Sequence, residues 1–106
     1  MPEGRRWTVT DKAGNPVYLT DERWDHIREG HAELADDEAV VRETIRKGRR
    51  YQDAKNPQKY HYLLRVPNLP GDSTHIEAVV LFRFGGSGDD VVPNNYVVTA
   101  FPVELR

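Results

Sequence analysis

From Arg50 onward the chain reads as strand, cut by clusters of Pro, Gly, Asn and Asp into the runs Arg50 to Ala54, Tyr60 to Val66, His75 to Phe84 and Tyr96 to Leu105. Both segments with helical spacing come before these runs. That order, helices first and strands later, predicts an α+β fold with an antiparallel sheet of about four strands rather than alternating βα units.

The first helix opens at Thr20 or Asp21, either of which can cap it, and Trp24, Ile27, His31 and Leu34 follow at spacings of three and four. One face is therefore buried, with Trp24 in the core. Gly30 weakens the helix by about 1 kcal/mol relative to Ala, so an end or bend is expected where His31 stands. A second helix starts at Asp36 or Asp37, carries Val40, Val41, Thr44 and Ile45, and stops at Gly48. Arg46 and Lys47 lie in its last turn, where cations suit the helix dipole. Before the helices, Trp7 to Asp11 and Val17 to Thr20 are β-rich and flank a turn-forming stretch, which predicts an N-terminal hairpin or arm. Pro67 to Thr74 and Gly85 to Asp90 read as exposed hairpin loops.

A length of 106 residues suits a single domain, expected over 1–106. With 38% hydrophobic and 30% charged residues, the chain can fill one core and keep a large solvated surface. The basic opening Met1-Pro2-Glu3-Gly4-Arg5-Arg6 has no apolar run behind it, so neither a signal peptide nor a membrane partner is expected. The expected location is cytoplasmic, or delivery as part of a larger polypeptide. The absence of cysteine excludes disulfides, Cys-based zinc sites, iron–sulfur clusters and thiol nucleophiles.

Other chemistries fail on spacing. His26 and His31 stand about 140° apart around a helix, so they do not converge on a metal unless Gly30 breaks it, and no metal or cofactor is expected. Gly85-Gly86-Ser87-Gly88 lacks the Lys-Ser/Thr ending of a phosphate loop and runs into Asp89-Asp90. No Gly-x-Ser-x-Gly nucleophile elbow occurs.

Local charge carries more information than the net charge of −2. Between Thr20 and Glu38, eight acids oppose two bases; between Arg42 and Arg50, five bases oppose Glu43 alone. Arg46, Arg49 and Arg50 could seat a phosphodiester backbone, and Tyr51, Tyr60, His61 and Tyr62 beyond them could stack or move protons. A solvated helix end with dipole-favoured cations gives the same pattern. The acidic helix face offers a docking surface for a basic partner, such as a neutralising protein.

The string Leu19-Thr20-Asp21-Glu22-Arg23-Trp24-Asp25-His26-Ile27-Arg28-Glu29-Gly30-His31-Ala32-Glu33-Leu34 is similar to the Trp-x-His-Ile-x-x-x-His opening helix of small phage- and toxin-associated nuclease-like domains. These belong to the group of barnase, EndoU, colicin and RelE-type ribonucleases, the BECR fold. Val41-x-x-Thr44-Ile45, the paired aromatics at Tyr60-His61-Tyr62 and the closing Tyr96-Val97-Val98-Thr99-Ala100-Phe101 follow in the order that group shows, over residues 17 to 105. The resemblance implies two short helices on a curved antiparallel sheet with a cleft on the sheet face. It implies His31 as acid/base, His26 as a second or structural histidine, and Thr99 as a hydroxyl donor; charge and position add Tyr60, Arg49, Arg50 and Arg46. Group members often carry Arg-His-Pro where this chain has Gly30-His31-Ala32.

The implied activity is metal-independent endoribonuclease cleavage, with RNA as partner. It needs a base for the 2′-hydroxyl proton, an acid for the leaving 5′-oxygen, and donors for the phosphorane oxygens. The alternative is a non-catalytic protein-binding module that kept the nuclease fold. His31 shares the apolar stripe of Trp24 and Ile27, as a buried structural histidine would, His26 faces polar neighbours, and Thr99 alternates with Val98 and Ala100 as a packing residue would.

Overall fold

A computed structural model describes residues 4–34 and 36–105. Met1 to Glu3, which open the basic N-terminal stretch, lie outside the described residues, as do Ala35 and Arg106. Strands β1 (Arg5–Thr10) and β2 (Pro16–Thr20) form the expected hairpin. Its turn is tied by Asp11, whose Oδ1 accepts from the backbone N–H groups of Ala13 and Asn15 at 2.9 and 2.8 Å. Gly14, at φ 90°, takes the left-handed turn conformation that side chains disfavour.

Helix α1 (Asp21–Gly30) starts where Thr20 Oγ1 accepts the Arg23 N–H at 3.1 Å. It ends one residue before His31, and Leu34 is buried from a separate short 3-10 turn, Ala32–Leu34. The break falls where Gly30 weakens the helix. Helix α2 (Glu38–Lys47) buries Val41, Thr44 and Ile45 and closes at Gly48. A β-carbon on Gly48 would overlap the carbonyl oxygens of Thr44 and Leu63, so only glycine lets the chain pass from α2 into the next strand this tightly.

Five named strands carry the rest of the ladder and its excursion: β3 (Arg49–Gln52), β4 (Lys59–Arg65), β5 (His75–Leu81), β6 (Phe84–Gly85) and β7 (Val92–Pro93). The long strand β8 (Asn95–Val103) follows them. The main sheet has six strands in the order β1-β2-β8-β5-β4-β3, larger than the four expected, and it is mixed rather than wholly antiparallel. The hairpin joins it because β2 pairs in parallel with β8 at Val17–Asn95 and Tyr18–Tyr96. Asn95, only 5% exposed, locks this junction by donating from its side-chain amide to the Pro16 carbonyl at 2.9 Å. The run expected to continue to Phe84 leaves the sheet after Leu81, and β6 and β7 form a separate small sheet.

Both helices lie on one face. Trp24, Ile27, Leu34, Val41 and Ile45 meet the inward residues Leu19, Tyr62, Ile76, Ala78, Val80, Val97 and Ala100 in one apolar cluster. Tyr62 carries the one phenol in that cluster, and its hydroxyl donates to Asp11 Oδ2 at 2.5 Å, tying β4 to the β1–β2 turn. Burial, then this bond, raises the Tyr62 phenol; burial pushes the Asp11 carboxyl up, but the donors around it outweigh this and hold it below its ordinary value.

Candidate functional site

Strand alternation sends the neighbours of those core residues to the opposite face. Tyr51, His61, Val79 and Thr99 are register partners across β3, β4, β5 and β8, and Arg49, Leu63, Glu77 and Phe101 form the next row. The chemistry of this face centres on His61. Its Nδ1 lies 2.8 Å from Glu77 Oε2 and its Nε2 lies 2.7 Å from Asp53 Oδ1. The Tyr51 ring stacks on the imidazole at 4.9 Å with an interplanar angle of 9°.

Each member is fixed by its own element. Asp53 follows β3, and its Oδ2 accepts the N–H groups of Lys55 and Asn56, both at 3.0 Å, which folds the 53–58 loop back against β4. The His61 bond, then these N–H groups, hold the Asp53 carboxyl down at about 2. Burial, then the Glu77 charge, raises the Tyr51 phenol. Histidine donates from both ring nitrogens only when protonated, so a charged ring satisfies two ionised carboxylates and a neutral ring needs one of them as its proton donor. The arrangement is a histidine held between two carboxylates, on a face that also carries Tyr51, Thr99 and Arg49.

The structure brings some of the sequence-predicted residues to this face and leaves others elsewhere. Thr99 and Arg49 share it. His31 is half-buried beyond the end of α1 and its ring lies 5.9 Å from that of Phe101, which shares the Thr99 side of β8. It gets there because β2 pairs with only the start of β8, and α1 packs along β8. His26 is exposed on α1 beside Glu22, Asp25 and Glu29, apart from the triad. Tyr60 points to the opposite side from His61, with its ring 4.7 Å from Phe82. Arg50 goes with it, its guanidinium 4.6 Å from the Tyr60 ring centre. Arg46 is engaged by Glu43 through bonds of 2.9 and 2.7 Å.

The acidic stretch is also partly engaged within the molecule. Arg6 donates to Asp21 at 3.0 Å and to Glu38 at 2.5 and 2.8 Å, Trp7 Nε1 donates to Glu38 at 2.9 Å, and Asp25 pairs with Arg28.

Asp53 and Glu77 are the site residues that sequence reasoning missed. Glu77 had a signal: it is the one acid inside the apolar strand His75–Leu81 and falls on the alternate positions that face away from the core. Asp53 reads as an ordinary turn residue, and only the folded loop brings it to His61. Among the described residues no group of three or more His, Asp or Glu is placed to hold a metal ion. No helix of the described residues is long and apolar enough to cross a membrane. Compared with protein families, with curated proteins and with solved structures, the chain matched none.

Proposed function

We propose that this chain is a metal-independent endoribonuclease whose proton transfers take place on the sheet face opposite the helices. One observation carries the reading: His61 is held at both ring nitrogens by Asp53 and Glu77, in line with Thr99 and beside Arg49 and Tyr51. The likeness of the Trp24 to His31 helix to the opening helix of phage- and toxin-associated nucleases supports it from the sequence side.

In this mechanism a carboxylate oxygen of Glu77 accepts the proton of the ribose 2′-hydroxyl as that oxygen attacks phosphorus, while His61, bonded to Glu77 through Nδ1, holds that carboxylate in place. Asp53 keeps the imidazole oriented through Nε2. Arg49 and the Thr99 hydroxyl donate to the non-bridging oxygens, where charge builds. The P–O5′ bond breaks, and His31, at the Phe101 side of the same surface, gives a proton to the departing oxygen. The products are a 2′,3′-cyclic phosphate and a free 5′-hydroxyl. Tyr51, with 43% of its surface exposed, offers a stacking face to a base.

The test is incubation with a mixed RNA pool in EDTA, comparing wild type with His61→Ala, His31→Ala and Thr99→Ala, each checked for folding by circular dichroism. Cleavage that falls about a hundredfold in His61→Ala is expected. Absence of wild-type cleavage on every RNA, or equal cleavage by all four proteins, overturns the reading in favour of a binding module.

A further inference from the structure

Three turns meet at one end of the sheet and enclose a groove of about 440 Å³: the β1–β2 turn at Asn15, the 53–58 loop at Pro57 and Gln58, and the β5-to-β8 excursion at Arg83 and Phe84. That volume lies in the range of small-ligand sites. The lining combines aromatic rings, side-chain amides and one charge, Arg83, with no carboxylate. Its floor is preformed: the Tyr60 and Phe82 rings lie 4.7 Å apart, tilted by 55°, and the Arg50 guanidinium covers both at 4.6 and 5.2 Å. At the rim, the Phe84 ring is 76% exposed and open to a stacking partner.

We propose that this groove is a base-binding subsite for one nucleotide of a single-stranded RNA. Phe84 supplies the stacking face, the amides of Gln58 and Asn15 reach the base edge, and Arg83 meets the phosphate. Stacking on an exposed aromatic beside a cation is how single strands are held without a paired partner. Asn95, 5% exposed, anchors the wall: its side-chain oxygen accepts the Arg83 N–H at 3.3 Å, and Arg83 in turn accepts the Asn94 N–H at 2.7 Å. The subsite and the His61 triad share a wall. The 53–58 loop supplies Asp53 to the triad and Pro57 and Gln58 to the groove, while Tyr60 and His61 are consecutive residues of β4 aimed to opposite sides. A strand crossing that loop reaches both places.

This inference rests on the ribonuclease reading, so binding and cleavage are measured separately. Nucleoside 5′-monophosphates are titrated into the full chain by calorimetry, with ribose 5-phosphate as the control that lacks a base. Phe84→Ala and Arg83→Gln change exposed side chains. Nucleotide binding that exceeds ribose 5-phosphate and weakens about tenfold or more in Phe84→Ala is the expected result. In cleavage, the same variant raises KM and leaves kcat unchanged. Equal binding of nucleotide and ribose 5-phosphate, or cleavage dependent on His61 that Phe84→Ala leaves untouched, overturns the subsite alone. Nucleotide binding lost in Phe84→Ala, without cleavage of any RNA, upholds the subsite and overturns the ribonuclease reading.

Discussion

The two faces of the sheet divide the chemistry of this chain between them. Under the helices, side chains are mostly apolar and buried, and the polar groups among them are bonded: Tyr62 to Asp11, and Thr44 to the Val40 carbonyl. On the other face, at the same heights along the same strands, sit a histidine, two carboxylates, a phenol, a threonine and an arginine. Strand alternation permits this: adjacent residues of β4, Tyr62 and His61, take part in unrelated environments. The lesson is that one face sets whether the sheet holds together, and the other is free to carry charge that a core would reject.

Substitutions can separate these two assignments, and the largest effect is expected under the helices. Trp24→Ala, at a ring only 3% exposed, lowers stability by about 3–5 kcal/mol in urea unfolding. A loss below about 1 kcal/mol would mean that α1 does not secure the covered face. Next, under the proposed ribonuclease reading His61→Ala is expected to slow RNA cleavage about a hundredfold, a barrier increase of about 2.7 kcal/mol, while its melting temperature stays well above that of Trp24→Ala. If stability and cleavage fall together, the open face is structural after all.

Smaller effects sharpen the boundary. Tyr62→Phe keeps the ring and removes the donor to Asp11, costing about 1–3 kcal/mol of stability because a buried carboxylate oxygen loses a partner. Cleavage at a temperature where the variant is folded stays at the wild-type rate, and a drop would mean that the faces communicate. The smallest effect is pH-dependent. The Asp53 carboxyl is lowered from 3.8 to about 2, so its contribution to stability is present above about pH 4 and is lost as pH falls through 2. Asp53→Asn therefore flattens the acid limb of the stability profile between pH 4 and 2, as followed by urea unfolding at each pH. An unchanged limb would mean that the His61 contact adds nothing to the folded state.

Local pattern made the hairpin, both helices and the longer strands legible, since each is written within about a dozen residues by turn formers, caps or spacing. Gly30 even located the end of α1. What local pattern does not contain is which distant strands pair. The parallel junction of Val17 and Tyr18 with Asn95 and Tyr96 joins opposite ends of the sequence, and without it the hairpin reads as an arm. The site divides in the same way. Thr99 and Arg49 stand out by motif and charge, whereas the carboxylates that hold His61 come from a turn and a different strand. Charge and position in the sequence point Arg50 at phosphate, yet the fold lays it over Tyr60 and Phe82.

The placement of β8 has a consequence for how the chain is made. In the sheet it lies between β2 and β5, yet among the described strands it is the last to be synthesised. Until Asn95 to Val103 emerge from the ribosome, the N-terminal hairpin and the β3–β4–β5 meander are two sheet fragments with open edges toward each other. Nascent chains at that stage present a template for wrong pairing and are natural clients for chaperones. Insertion of one strand then closes both edges at once, so the six-stranded sheet assembles only after β8 has been made.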